Sequence, residues 1–447
     1  MKIKKWIRYL TMMKISTFFV LLLFLAIANF TTAQPKDISS ELVMSMSQRS
    51  LVMPGYLTEL KALIARQAYN FWKTENVEPY VSHLQVYSSL HQANKFLNYD
   101  STRQLYYNQV GFHDRKVTSI EFGQEPNRYY SASSDGTVYK WNLENPNAIP
   151  ETVFQSEKII RSIDISADGK FLLVVFYQTG VALVSLESTS NGDIEAFEDP
   201  EPVKTAIFYP AEKQYLTVTE DGALKIKGFN TTTKQIGKTA LNVKTVEVDE
   251  NDGTIYAGSI QGVLEAWSKP YSEDADIKLN SWDQQSYFGY QLGSFAINCM
   301  DISPDGKLMA IGRERGDVII WNLAEKQLER IISSHQSAIT DIEFSPNNKQ
   351  LLTTSRDKTA RIWDLMDSRK LPIILDDHDN WVLSGCFDPS GNKVITGSSD
   401  RYLRTWPVDS KFLAERVCEL VSRNMTPEEW KEFVGPDVPY QKTCAGK

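Results

Sequence analysis

The stretch TTSRDKTARIWDL, residues 353–365, sets Ser355 two positions before Asp357, with Arg356, Lys358 and Arg361 around them and Trp363 behind. A nucleophile, an orienting carboxylate and an anion-stabilising cation are drawn from these residue types. Other acid–base candidates are few. The chain has five histidines, His83, His91, His113, His335 and His378, and four cysteines, Cys299, Cys386, Cys418 and Cys444. It contains no HExxH, GxSxG, P-loop or CxxC pattern. His83 and His91 stand eight apart on an expected helix and read as surface or interhelix residues. Cys299 and Cys386 sit in strand-like runs and read as small buried hydrophobes.

What positions 353–365 is an internal repeat. Residues 301–323, 343–365 and 386–408 share one layout: an apolar strand, a Pro/Gly/Asn turn, a second strand, a tight polar turn and a third strand ending in Trp. More divergent copies lie at 119–143, 162–186, 206–229 and 246–269. The third strand opens at Gly136, Gly180, Gly222, Gly262, Gly316, Lys358 and Arg401, at intervals of 44, 42, 40, 54, 42 and 43. The long interval marks an insertion at 270–291. Seven units with a period in the low forties predict an all-β fold, a seven-bladed β-propeller of four-stranded blades.

These repeats resemble the WD40 family. GFHD (111–114), SSHQ (333–336) and DDHD (376–379) stand where that family has its Gly-His dipeptide. The resemblance covers about 100–410 and is most specific over 294–408. It implies that the late histidines are architectural. In the family, His bonds a Ser or Thr of the second strand, the turn Asp and, through them, the Trp nitrogen. On that pattern His113, Asp135 and Trp141 form one network with Ser131 or Ser133. His335, Asp357 and Trp363 form another with Thr353 or Ser355, and His378, Asp400 and Trp406 a third with Thr396 or Ser398. Buried polar groups need such partners. The resemblance also places partner contacts just before the turn Asp and just before the first strand: Ser134, Glu220, Glu314, Arg356 and Ser399, with Lys116, Ala338 and Trp381. Trp381 beside Arg356 has hot-spot composition. Arg313, Arg315, Arg356 and Arg401 would add a basic patch. No catalytic, cofactor or metal set is expected.

The strand 103–110 has no blade of its own, and the last unit runs into helix after Trp406. The expectation is that 103–110 completes the last blade, removes two sheet edges and is the main fastening of the ring. Residues 34–99 read as a helical lead-in. Leu57, Leu60, Ile64, Ala68, Phe71 and Trp72 share one face, Pro54 and Pro79 mark breaks, and 81–97 forms a third helix. A cap packed on the propeller is favoured over a docking module. In the tail, 411–447, Thr426, Pro427 and Glu429 mark a helix start, and Gly435 and Pro436 its end. Trp430 and Tyr440 read as packing residues. Cys418 and Cys444 flank this helical tail, and spacing alone does not decide whether they pair.

Residues 1–33 have the pattern of a secretory signal peptide: a basic start, an apolar run from Phe18 to Ala28, and small residues before a cut after Ala33. They hold five basic and no acidic residues, so the net charge of −8 becomes −13 for the remainder. That balance argues against a nucleic-acid binder. No later segment reads as membrane-spanning. The lead-in, the tail and Gln34 after the cut look like those of exported proteins of the Bacteroidota. The expected function is a non-enzymatic scaffold that binds protein partners in a bacterial envelope, with the periplasm as its compartment. The alternatives are a propeller-type lyase, glycosidase or peptidase, which would need paired carboxylates at the central channel, or a ligand-binding propeller using aromatics such as Trp282 and Tyr290.

Overall fold

The computed structural model describes residues 35–447, except 75–78, 99–107, 126, 147, 188–195, 210–213, 229–232, 240–241, 268–286 and 334. The expected signal peptide, Trp282 and most of the insertion lie outside the described residues.

Seven four-stranded antiparallel sheets form the body of the chain. Six are continuous, at 117–155, 160–199, 203–238, 243–291, 297–333 and 339–375. The seventh is composite. Its three inner strands span 382–407, and its outer strand is Gln109–Phe112, paired antiparallel to Tyr402–Pro407 through Gly111↔Leu403 and Phe112↔Tyr402. The N-terminal strand therefore closes the ring. Its described part begins at Gln109, and 103–107 fall outside the described residues.

The tight turns before the third strands explain the residues that open them. Gly136, Gly222, Gly262 and Gly316 have φ between 76° and 92°, and Lys358 and Arg401 take the same left-handed region at 72° and 81°. A Cβ on Gly136 would meet the Ser156 carbonyl oxygen at 1.9 Å. Blade two departs from the expected register. There Leu172 pairs with Val184, so Val184 occupies the place of Trp141, and Gln178, not Gly180, carries the positive φ of 62°. In this register Thr179 is the counterpart of Gly136, 43 residues after Gly136 and 43 before Gly222.

The helices form one layer against the last two blades. α1 (Pro35–Val52), α2 (Thr58–Thr74) and α3 (Pro79–Leu97) precede the propeller; α4 (Ser410–Leu420) and α5 (Pro427–Phe433) follow it. One core joins Met46, Leu63, Ile64 and Leu90 of the lead-in, Ile362, Ile373, Val394 and Trp406 of blades six and seven, and Leu413, Val417 and Trp430 of the tail. α2 is buried on more than the expected face: Leu63, Gln67 and Tyr69 are inside as well as Leu60, Ile64, Ala68 and Phe71. The cause is its position between α1, α3 and α4, all of which it packs against. Thr426 and Glu429 cap α5 reciprocally, and Cys418 is disulfide-bonded to Cys444. Among the described residues no helix is long and apolar enough to cross a membrane.

Polar groups fasten this layer as well. Asp377, in the loop between blades six and seven, is held by His91 at 2.8 Å, Lys95 at 2.5 Å and Asn108 at 3.1 Å. Burial pushes the Asp377 carboxyl up, but His91 and Lys95 outweigh it and hold it well below the usual range. The His91 ring lies 5.2 Å from that of Trp406. His91 is therefore an interface residue between helix and blade.

Candidate functional site

The segment 353–365 forms a brace, and its chemistry is used up internally. His335 Nδ1 lies 2.9 Å from Asp357 Oδ2 and Nε2 lies 2.8 Å from Thr353 Oγ1, while Trp363 Nε1 donates to that same oxygen at 3.0 Å. Ser355 is occupied elsewhere: its hydroxyl donates to the Ser337 carbonyl at 3.1 Å and accepts from Asp357 N. Burial raises the Asp357 carboxyl, but hydrogen bonds from His335 and Thr359 win and hold it far below its usual value. Blade one repeats the arrangement with Ser131. His113 Nε2 is 2.7 Å from Ser131 Oγ and Trp141 Nε1 donates to it at 2.7 Å, but His113 Nδ1 meets Thr137 Oγ1 at 3.0 Å, and that hydroxyl donates to Asp135 at 2.6 Å, with Asp135 Oδ2 3.5 Å from the ring nitrogen.

Blade seven differs. Thr396 links His378 Nε2 at 3.1 Å and Trp406 Nε1 at 2.8 Å, but Arg404 Nη1 stands between His378 Nδ1 at 3.0 Å and Asp400 Oδ2 at 2.8 Å. Asp400 thus reaches His378 only through a buried guanidinium. Arginine can only donate, so His378 Nδ1 accepts and its proton sits on Nε2. Asp357 can only accept, so His335 carries its proton on Nδ1. Burial, reinforced by Arg404, keeps His378 neutral. We expect 15N NMR of the imidazoles to show the Nδ1–H tautomer for His335 and the Nε2–H tautomer for His378. Identical tautomers would contradict the Arg404 insertion.

Other blades fill the same positions differently. Blade three has Asp199 in the His position and Lys227 in the Trp position, paired directly, with Glu201 Oε2 2.7 Å from the ammonium. Blade five has Gly293 in the His position, and Arg313 is buried against Asp317, with Nε 3.0 Å from Oδ1. Arg313 therefore does not contribute to a surface basic patch.

The innermost strands surround a channel of about 860 Å3. The fifth residue of that strand is Glu121, Asp164, Glu247, Asp301 or Glu343 in five blades, and Asp341 lies nearby. Several of these acids join one blade to the next. Phe208 N donates to Asp164 at 2.6 Å, Gly385 N to Asp341 at 3.1 Å and Phe387 N to Glu343 at 2.9 Å; Phe344 N donates to Asp301. Burial pushes Asp164 and Asp341 up to about 6 and Asp301 to about 7, and lifts Glu121, Glu247 and Glu343 well above their usual range. Cys299 and Cys386 line the same channel as buried thiols pushed up by desolvation. Among the described residues no group of three His, Cys, Asp or Glu is arranged to hold a metal ion.

One face of the ring carries the loops before the first strands and the turns after the second. A recurrent bond aligns them: Tyr177 N donates to Ile159 O, Ile260 N to Asn242 O, Glu314 N to Ala296 O, Arg356 N to Ala338 O and Ser399 N to Trp381 O. The Arg356 guanidinium lies 5.1 Å from the centroid of the Trp381 ring and 3.2 Å from Glu314 Oε1. Lys244 Nζ reaches the same Glu314 at 3.4 Å and Asn298 at 2.5 Å. A charged chain thus runs from blade four to Trp381 of blade seven. Trp381 is 47% exposed, and Ile159, Tyr177, Ile260 and Phe295 are also exposed on this face, with Arg315 over Phe295 at 5.5 Å.

The family model described as "WD domain, G-beta repeat" matches residues 107–142, 284–322, 326–364 and 369–407. Seven blades and the His–Ser/Thr–Trp braces accompany these four repeats. The chain is a seven-bladed propeller that carries WD40 repeats. Each matched stretch begins with the outer strand of one blade and runs into three strands of the next, so the repeat is one strand out of phase with the blades. That offset is what lets 109–112 complete blade seven. The WD40 matches omit blades two and three and the three inner strands of blade four, where Ser156, Asp199 and Thr239 stand in the histidine position. Similar proteins include the "Transcriptional corepressor LEUNIG_HOMOLOG" of Arabidopsis thaliana, 36% identical over 119 residues, 27% of this chain and 14% of that one. The "Target of rapamycin complex subunit wat1" of Schizosaccharomyces pombe is 25% identical over 53% of this chain and 74% of its own length. The "Protein LST8 homolog" of Drosophila melanogaster is 24% identical over 53% and 75%. The chain spans less than a quarter of the corepressor and of the "Periodic tryptophan protein 2" relatives it matches.

On the WD40 face, Lys116, Glu220, Glu314 and Trp381 are exposed and Arg356 is half-buried, whereas Ser134 and Ala338 are buried and unavailable. Arg401 is exposed at its turn. Tyr290 belongs to the outer strand of blade four, its ring 4.9 Å from that of Trp321, so it packs between blades. Sequence reasoning missed Ile159, Tyr177, Ile260 and Phe295, which hold the positions equivalent or adjacent to those of Arg356 and Trp381 in other blades. In blade two the one-residue register error hid Tyr177.

Proposed function

We propose that this propeller is a non-enzymatic scaffold that binds protein partners through the Trp381 face, and that it is exported to a bacterial envelope and works in the periplasm. The carrying observation is the ring of exposed apolar side chains around a pre-oriented Arg356, since aromatic and arginine anchors dominate binding energy at protein interfaces. The names of the relatives, a complex subunit and a corepressor, support a role in assemblies. The Cys418–Cys444 disulfide supports export, because such bonds persist in oxidising compartments.

Affinity purification of the full chain from envelope fractions tests this reading. Trp381→Ala combined with Arg356→Ala should remove the co-purifying proteins that wild type retains while leaving Tm within about 2 °C, because neither side chain belongs to a brace. An unchanged set of proteins would rule out the face.

A second reading rests on the channel, where Asp301 at about 7 would suit a general acid beside ionised neighbours. It is weaker, since Asp164, Asp301, Asp341 and Glu343 already accept backbone N–H groups from the next blade.

A further inference from the structure

Arg161 opens the channel side of blade two and belongs to no brace. Its guanidinium crosses the channel mouth past blade three, and Nη2 donates to the carbonyl of Lys244 in blade four at 3.4 Å. That is one long hydrogen bond for a group with five N–H donors. The acid that acts on it, Glu220, does so through space and not through a hydrogen bond. Thr118, Lys244, Asn298 and Thr340 line the same mouth, and the carboxylates of Asp164, Glu247 and Asp301 lie deeper. Arg161 thus stands at the lip beside Lys244, which is already paired with Glu314, above a throat of carboxyl groups. A free anion gains nothing by entering further, but an acidic side chain on a segment lying across the face stops at the lip. Ile159 and Tyr177, both exposed, flank Arg161.

We propose that the channel mouth anchors an acidic side chain of the protein partner, whose carboxylate takes the unspent donors of Arg161 while flanking apolar residues rest on Ile159 and Tyr177. The inference rests on the reading that this face binds protein. A guanidinium and a carboxylate form a charge-assisted, bidentate pair, which adds geometric specificity as well as energy.

Fluorescence anisotropy with labelled hexaglutamate and hexaglutamine tests it on the full chain. Wild type should bind hexaglutamate about tenfold tighter than hexaglutamine, Arg161→Gln should abolish the preference, and Arg161→Lys should recover part of it. Tm of Arg161→Gln should match wild type, which separates lost binding from lost folding. Equal binding of the two peptides, equal binding by wild type and Arg161→Gln, or no binding of hexaglutamate up to about 1 mM would overturn the anchor. Retention of every co-purifying protein by Arg161→Gln, with their loss in Trp381→Ala, would overturn the anchor and leave the face reading standing. Retention in both variants would overturn the face reading itself.

Discussion

Trp406→Ala should destabilise the propeller by about 3–5 kcal/mol, the range for truncating a fully buried aromatic. Trp406 has no exposed surface and holds three structures at once. Its indole N–H completes the Thr396–His378 brace, its ring meets His91 of α3, and its strand carries the closing strand Gln109–Phe112. Hydrogen exchange should therefore speed up in both α3 and the closing strand. Trp406→Phe keeps most of the packing and should lose only about 1 kcal/mol for the missing hydrogen bond. Trp141→Ala should disturb blade one without loosening the helices, since the buried cluster around Trp141 joins residues of blades one and seven. A Trp406→Ala protein with α3 as protected as in wild type would show that the helical layer is fastened elsewhere.

The second large effect concerns pH. Asp301 is raised to about 7 in the folded chain, and an unfolded aspartate titrates near ~3.9. Below the unfolded value both states are protonated and the group costs nothing. As pH rises from about 4 through 7 the unfolded state ionises first, so stability falls. Asp164 and Asp341, at about 6, act in the same direction over a narrower window. Asp135, Asp357 and Asp377 act oppositely: their folded values are depressed, and their contribution is lost as pH falls below the usual aspartate range. The two sets place maximal stability at pH ~4, where the losses on either side meet. Asp301→Asn keeps an oxygen for Phe344 N–H and removes the charge. At pH 8 it should stabilise the propeller by about 2 kcal/mol, allowing for screening by channel water. Thermal melts should show Tm higher by roughly 2–4 °C at pH 8 and little change at pH ~4. A destabilised Asp301→Asn at pH 8 would mean that the charged form is what the fold uses.

The architecture was legible wherever one repeat constrains one short stretch of chain. The positive-φ turns, the histidines of blades one, six and seven, the composite last blade and the Thr426 cap all follow from local spacing. Blade seven's Arg404 was not legible in that way. Arg361 holds the same place in blade six yet leaves His335 free to bond Asp357 directly, so the outcome depends on where a long side chain packs. Asp199 and Lys227 carry a signal that could have been found: complementary charges at the His and Trp positions of one unit. The channel acids were visible too, at the fifth place of five first strands, but alternation alone reads them as solvent-facing. Only ring closure turns that face inward. The seat of the helical layer on blades six and seven rests on contacts more than 280 residues apart, such as Lys95 with Asp377, and no local pattern encodes them.

The central claim is that partners meet the Trp381 face. Site-specific photo-crosslinking in the native cell tests it, with a benzophenone amino acid at Trp381 or at Met366, an exposed residue in the turn after the third strand of blade six, on the opposite face of the ring. The account predicts a discrete protein adduct from position 381 and none from 366. Adducts from 366 alone would contradict it.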